Sequence, residues 1–382
     1  MVEGMINHKT SRITYFFITL LFISQLPIFS TNAQHTTSTQ PIVEHHPDLL
    51  LIVSPQYAQD TDIIIALNAY STAVHNDLDW NTQIIPIQEG ENTYQTIDST
   101  IEAIYNNHPV KACIMIGEDL DTPLSGDADY LEQPSTLPWA TLGGTTAYDI
   151  TEHGILCTPT TIHICISLLY PTHDLPYQQK KTAIIYAFHK FTTQRHAIYP
   201  HAINVLESSA LNTNSKPLYQ SLAATMALSY TEDATNEAIT SSLTQPCSAY
   251  FVHGHSTPAG TDVNNQQNSG WFSADDLDNI HTPFFGADGC YVGGWWSSQP
   301  DNNKLDTSVN TDWYGSKIFT SASLQVMALG LLSQNGFSQP VSFLENVFSH
   351  LVHGTTLAEA MIGQTTIGDT IIIGDPTFSF NI

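Results

Sequence analysis

Apolar residues recur along this chain in two alternating rhythms. Short unbroken runs, LLLIVS (49–54), TQIIPI (82–87) and ACIMIG (112–117), read as strands. Between them, residues 61–74 carry a helical repeat, and 93–105 place Ile97, Ile101 and Ile104 on one helix face. Apolar runs of that length without polar alternation are the mark of strands covered on both faces, and strand–helix–strand order implies a mostly parallel sheet. Residues 118–161, rich in Asp, Gly, Thr and Pro, are predicted to be mostly loop. HICISLLY (163–170) is a strand and 178–192 a helix. The rhythm restarts after Arg195 with a strand at AINVL (202–206) and helices over 217–229 and 233–242. Two apolar runs ending in Gly-flanked residues follow, SAYFVHGH (248–255) and PFFGADGCYVGGW (283–295). SKIFTSAS (316–323) is predicted as a strand, 324–332, 340–352 and 356–362 as helices, and TIIIGDPTF (370–378) as a terminal strand. The pattern describes an α/β chain with helices on both faces of a mostly parallel sheet. Its two α/β subdomains span 48–195 and 196–382.

The N-terminus departs from this rhythm. Residues 1–33 have the form of a secretory signal peptide: Lys9 and Arg12, an apolar stretch over 13–29, and Thr31-Asn32-Ala33 as a cleavage site. A membrane anchor is the other reading, but Ser24-Gln25 and Pro27 interrupt the run. Residues 34–47 are polar and read as a disordered lead-in. No stable membrane insertion is expected once the leader is removed, and the protein is expected to be secreted or periplasmic. The chain has 10 Lys and Arg against 36 Asp and Glu, a net charge of −26, which repels nucleic acid and anionic membranes. Structural calcium is compatible with this charge, and Asp127/Asp129 is one candidate pair; most such pairs are solvated surface.

The two Gly-flanked strand ends carry the candidate chemistry. Adjacent parallel strands deliver their last residues to one crevice, and here those residues include His253-Gly254 and Gly289-Cys290. A Cys and a His so placed can act as nucleophile and acid/base partner. Gly289 and Gly293-Gly294 allow a tight turn that exposes the sulfur, and the peptide N–H groups of Gly254 and Cys290 are candidates for an oxyanion hole. The polar segment 257–282, which contains Trp271, has the composition of a pocket wall. Two other readings of His253 stand beside this one. HGH could be a metal pair, although no further ligands stand out among the 17 His, or His253 could be a satisfied structural residue. Five cysteines leave at least one thiol unpaired within the chain. Cys290 is the natural candidate, Cys113 and Cys165 lie in core-like runs, and a Cys157–Cys165 bridge is open.

These motifs together resemble the gingipain-type cysteine peptidases of the caspase-like clan. AYFVHGHST (249–257) is similar to the strand that ends in that family's catalytic His. PFFGADGC is similar to the strand that carries its Cys. IMIGEDLDTP (114–123), TTLAEAM (355–361) and IIIGDPTF (371–378) fall in the family's order, so the likeness runs over roughly 48–378. The resemblance implies a caspase-like three-layer α/β/α fold, endopeptidase activity on a protein or peptide substrate through Cys290 and His253, and no required cofactor. It also implies a carboxylate assisting the His, which NVLESS (204–209) supplies as Glu207. Where arginine-specific members carry an S1 aspartate, ALNTNSKP (210–217) has no acid and offers Lys216; His255 replaces a small residue after the His-Gly pair. His255, Trp271 and Lys216 are therefore the expected substrate-pocket residues. The immunoglobulin-like and sorting domains and the long propeptide of well-known members are expected to be missing here. The alternatives are a binding or adhesion module that has lost catalysis and a metal-dependent hydrolase.

Overall fold

The computed structural model describes residues 46–122, 124–125, 133–134, 136–142, 148–151, 154–157, 160–172, 175–211, 216–222, 226–257, 259–265, 269–290, 313–332, 341–366 and 370–380. The leader, the lead-in and Asp127/Asp129 lie outside the described residues. A ten-stranded sheet organises the rest. Its strands are β1 (Leu49–Val53), β2 (Thr82–Pro86), β3 (Ala112–Ile116), β4 (Cys165–Leu169) and β5 (Ala202–Glu207), then β6 (Ala227–Glu232), β7 (Ala249–His253), β8 (Phe284–Cys290), β9 (Val326–Leu332) and β10 (Thr370–Gly374). The spatial order is β6-β5-β7-β8-β9-β10-β4-β3-β1-β2. Neighbours run parallel except at β9/β10, so two parallel blocks of opposite direction meet at the sheet centre. The last strand joins the first block, pairing with β4.

Burial follows from that order. Every residue of β1, β3, β4, β7 and β10 is buried, as both-face coverage of a parallel sheet requires. The two edge strands, β2 (TQIIP) and β6 (ALSYTE), are the exceptions: their residues are exposed or half-buried. Helix α1 (Thr61–Leu78) is capped by Asp60, whose carboxylate accepts the N–H groups of Asp62 and Ile63, and it buries Ile63, Leu67, Tyr70 and Val74 at helical spacing. Helix α2 (Tyr94–Asn107) buries Ile97 and Ile101 in the same way. Helix α3 (Tyr177–Thr193) packs against α1 and buries Ile184, Phe188 and Phe191.

The α/β class and the mostly parallel sheet match the expectation; several elements do not. Residues 316–323 are not a strand: Tyr314–Phe319 is a 3-10 helix. The apolar run at 324–332 is not a helix but the central strand β9, held between β8 and β10. An apolar run that short has no periodicity to separate a buried strand from a buried helix. The helix expected over 217–229 is interrupted, and its second part is the edge strand β6. Cys165 is a free, buried thiol whose Sγ lies 3.5 Å from Met361 Sδ, so the Cys157–Cys165 bridge is not formed.

One buried amine joins α3 to the segment 318–321. Lys190 of α3 is 2 % exposed, and its Nζ donates to the carbonyls of Ile318 (2.6 Å) and Ser321 (3.0 Å). Burial pushes its pKa down to about 7. A neutral amine has two N–H donors, which matches the two carbonyls. The unfolded side chain titrates at about 10.4. Between the two values the unfolded state binds the extra proton, so stability rises with pH from about 7 to about 10.4 and is flat below that window. Urea unfolding of wild type and Lys190→Met is expected to give a midpoint difference that changes across pH 7–10 in favour of wild type. A pH-independent difference would contradict the neutral amine.

Candidate active site

Three neighbouring strands of the second block end in titratable side chains. Glu207 closes β5, His253 closes β7, and Asp288 lies two residues before the end of β8; the register pairs Glu207 with His253 and His253 with Asp288. In-register residues of adjacent parallel strands share a face at a spacing of about 4.8 Å. The result is a carboxyl–imidazole–carboxyl row, all three residues at most 2 % exposed.

The surroundings fix this row. Helix α4 (Lys216–Leu222) brings Tyr219, whose hydroxyl lies 2.6 Å from His253 Nε2. The Tyr230 hydroxyl of β6 donates to Glu207 Oε2. Beneath the imidazole the Phe251 ring is stacked at 6.4 Å, and Phe348 of helix α5 (Val341–Leu351) meets Phe251 edge-on. His253 Nδ1 and Asp288 Oδ1 have no hydrogen-bond partner among the described residues. Burial lowers the His253 pKa, and the Glu207 charge opposes that shift only in part. Asp288 moves the other way, up to about 7, through burial and then repulsion from Glu207. Near neutral pH the row therefore favours a neutral imidazole beside a carboxyl that is partly protonated.

Beyond His253 the chain turns into a three-stranded antiparallel sheet of His255–Thr257, Gly260–Asp262 and Trp271–Ser273. Two glycines let it press against the strand ends. A Cβ on Gly254 would stand 2.0 Å from the Asp262 carbonyl oxygen, and one on Gly289 would stand 1.8 Å from Ser256 Oγ. Tyr314 ties the small sheet to the 3-10 helix: its hydroxyl donates to the Phe272 carbonyl (3.0 Å) and lies within hydrogen-bond distance of Thr261 Oγ1 (2.9 Å).

The expected site residues are distributed as follows. Glu207 and His253 come together on neighbouring strands. Cys290 is two positions beyond Asp288 along β8, its backbone paired with Leu332; its side chain and residues 291–312 lie outside the description. His255 and Trp271 fall in one cross-strand row with Asp262 between them, and both are exposed. Lys216 is not with them: its Nζ sits 5.2 Å above the Tyr230 ring, on the Glu207 side. The two imidazoles of HGH part company, His253 buried and His255 exposed, so they do not form a metal pair. No cluster of three or more His, Cys, Asp or Glu among the described residues could hold a metal ion. The Gly254 N–H, expected to face an oxyanion, instead donates to the Asp288 carbonyl at 3.2 Å. Strand pairing has taken that donor.

The structure adds Asp288, Tyr219 and Tyr230 to the residues the sequence singles out. Asp288 carried a signal, an acid inside the apolar run PFFGADGC two positions before the Cys. Tyr219 and Tyr230 carried none, because their contact with the row depends on how α4 and β6 pack.

No protein-family profile matches the chain, and no curated protein matches it. Two solved structures share its architecture. The Arg-specific cysteine proteinase gingipain R superimposes with a TM-score of 0.55 at 11% identity, covering 89% of this chain and 80% of that one. The complex of the pro- and mature domains of the Porphyromonas gingivalis enzyme gives 0.55 at 13% identity, covering 87% and 79%. At such identity the likeness concerns architecture. The chain has a gingipain-type, caspase-like α/β fold.

Proposed function

We propose that this chain is a secreted cysteine endopeptidase with Cys290 as nucleophile and His253 as acid/base. The observation that carries the proposal is the in-register Glu207–His253–Asp288 row, at the strand ends that also bring the Cys290 backbone. His253 takes the Cys290 thiol proton, and the thiolate attacks the peptide carbonyl carbon. The tetrahedral adduct collapses as the imidazolium gives its proton to the leaving amine, and water hydrolyses the thioester with His253 again acting as base. Glu207, fixed by Tyr230, holds a negative charge beside the ring when it is protonated. The Cys290 N–H is the oxyanion donor in this scheme, the Gly254 N–H being engaged elsewhere. His255 and Trp271 would line the substrate side. No cofactor enters the chemistry, and structural calcium would act outside it.

A second reading is a binding or adhesion module on the same fold, and the 1 % exposure of His253 favours it. The separating experiment is incubation of the purified chain with a diverse peptide library, with reductant and calcium present, read by mass spectrometry. Internal cleavages that disappear after thiol alkylation are the expected result. A folded chain that cuts nothing would turn the assignment to the binding module. Cleavage that survives alkylation but not chelation would turn it to a metal-dependent hydrolase.

A further inference from the structure

We infer that Asp288 is a positioning residue for His253, a second carboxyl that faces the imidazole from the strand opposite Glu207 and sets its charge while Cys290 reacts. The inference rests on the Cys290–His253 assignment. Its basis is the placement of an acid where a sheet interior otherwise excludes one. Asp288 is 2 % exposed in a strand whose neighbours Phe284, Phe285 and Ala287 are fully buried, and its Oδ1 has no partner among the described residues. It caps no helix and joins no ion pair described there. What it does have is register, since it stands beside His253 and two residues before Cys290 on the same strand.

The groups around it leave few alternatives. From β5 comes Glu207, already accepting the Tyr230 hydroxyl of β6. From β7 comes His253, whose Nε2 meets Tyr219 of α4 and whose Nδ1 is unpartnered among the described residues. Lys216, at the exposed start of α4, lies over Tyr230. On the other flank, β9 offers Gly330 opposite Asp288. His253 is thus the basic group in register with Asp288.

The charge states then follow. Burial and Glu207 raise the Asp288 pKa to about 7, and burial depresses that of His253. As pH rises through neutrality Asp288 releases its proton to water, and a second anion beside the ring favours the protonated imidazole. His253 becomes a stronger base toward Cys290: the S–H bond breaks, an N–H bond forms on the ring, and the imidazolium is bracketed by two carboxylates.

The test is the pH profile of iodoacetamide alkylation at Cys290 in the intact chain, read by peptide mass spectrometry between pH 5 and pH 9. The buried thiols Cys113, Cys165 and Cys247 serve as internal controls. An isolated thiol gives one limb near about pH 8.5. Wild type is expected to add a step near pH 7. Asp288→Asn is expected to remove that step and slow alkylation at pH 7.5 by about tenfold, one pKa unit of lost basicity, with partial recovery in Asp288→Glu. A profile superimposable on wild type, or one lowered equally at every pH, would overturn the inference. Should Asp288→Asn not fold, the His253 Cε1–H resonance of wild type, assigned by its loss in His253→Gln, decides. A second inflection near neutral pH supports Asp288, and a single inflection sinks it. Failure of the underlying assignment looks different: His253→Ala would alkylate at the wild-type rate.

Discussion

Replacing Cys290 with alanine is expected to lower kcat/KM on the best library peptide by about 10³-fold or more, because no other group can form the thioester. His253→Ala is expected to cost about 10²–10⁴-fold, the usual contribution of a positioned acid/base. The double variant should be little worse than Cys290→Ala alone, since groups that act as a unit lose their joint effect when either is removed. Far-UV circular dichroism separates lost chemistry from lost fold. The geometry around Cys290 makes the comparison clean at the level of the backbone, which is held by the full length of β8 against β9. Gly289, pressed against Ser256, fixes the approach of the small antiparallel sheet. A Cys290→Ala variant that cleaves as wild type does would remove the thiol mechanism, whatever became of His253.

The sequence carried the strands that bear the site because their signal is local. SAYFVH and PFFGADGC are apolar runs with Gly punctuation, and both form strands where expected. The faces of α1 and α2 were legible for the same reason, through Ile63, Leu67 and Ile97, Ile101 at helical spacing. What escaped depends on partners far along the chain. Val326–Leu332 is a strand because β8 and β10 flank it, and nothing within seven apolar residues reports that. Asp288 could be seen as an acid in an apolar run, but its meeting with His253 is a matter of register between strands. Gly254 was legible as a glycine that permits close approach. What approaches is the Asp262 carbonyl, and its N–H goes to Asp288. The GDPT sequence at 374–377 is recognisable as a motif, but no local signal reports its physical role. That role is a buried polar joint, and it carries the largest expected effect on stability.

Asp375→Ala is expected to destabilise the fold by about 3–5 kcal/mol, the cost of breaking a buried, hydrogen-bonded ion pair by removing one partner. Gly374, at φ 110, turns the chain out of β10 and presents Asp375, which is 1 % exposed. Its Oδ1 accepts the Tyr70 hydroxyl (2.5 Å), the Thr377 N–H (2.9 Å) and the Thr377 hydroxyl (2.6 Å). Its Oδ2 faces Arg195 Nη1 at 3.3 Å, and Arg195 is held in turn by Asp77 and Thr377. Tyr70 belongs to α1 and Asp375 follows the last strand, so this joint fastens the end of the chain to its first block. Removing the carboxylate takes one of two ion-pair partners from a guanidinium that is 6 % exposed, leaving it Asp77, and takes the shared acceptor from the Tyr70 hydroxyl and the Thr377 N–H. Arg195→Met placed on Asp375→Ala should therefore recover part of the loss, and a double-mutant cycle in urea measures the coupling. A loss below about 1 kcal/mol would mean that water replaces the carboxylate, because breaking a buried ion pair otherwise costs more than that. The joint also lies far from the chemistry. β10 runs antiparallel to β9, with Gly374 opposite Val326, whereas Cys290 pairs with Leu332 at the other end of β9. Six residues of strand separate the two by about 20 Å. At a temperature where Asp375→Ala remains folded, its turnover per folded molecule should equal that of wild type; a matching fall in turnover would show that the two ends of the sheet are coupled.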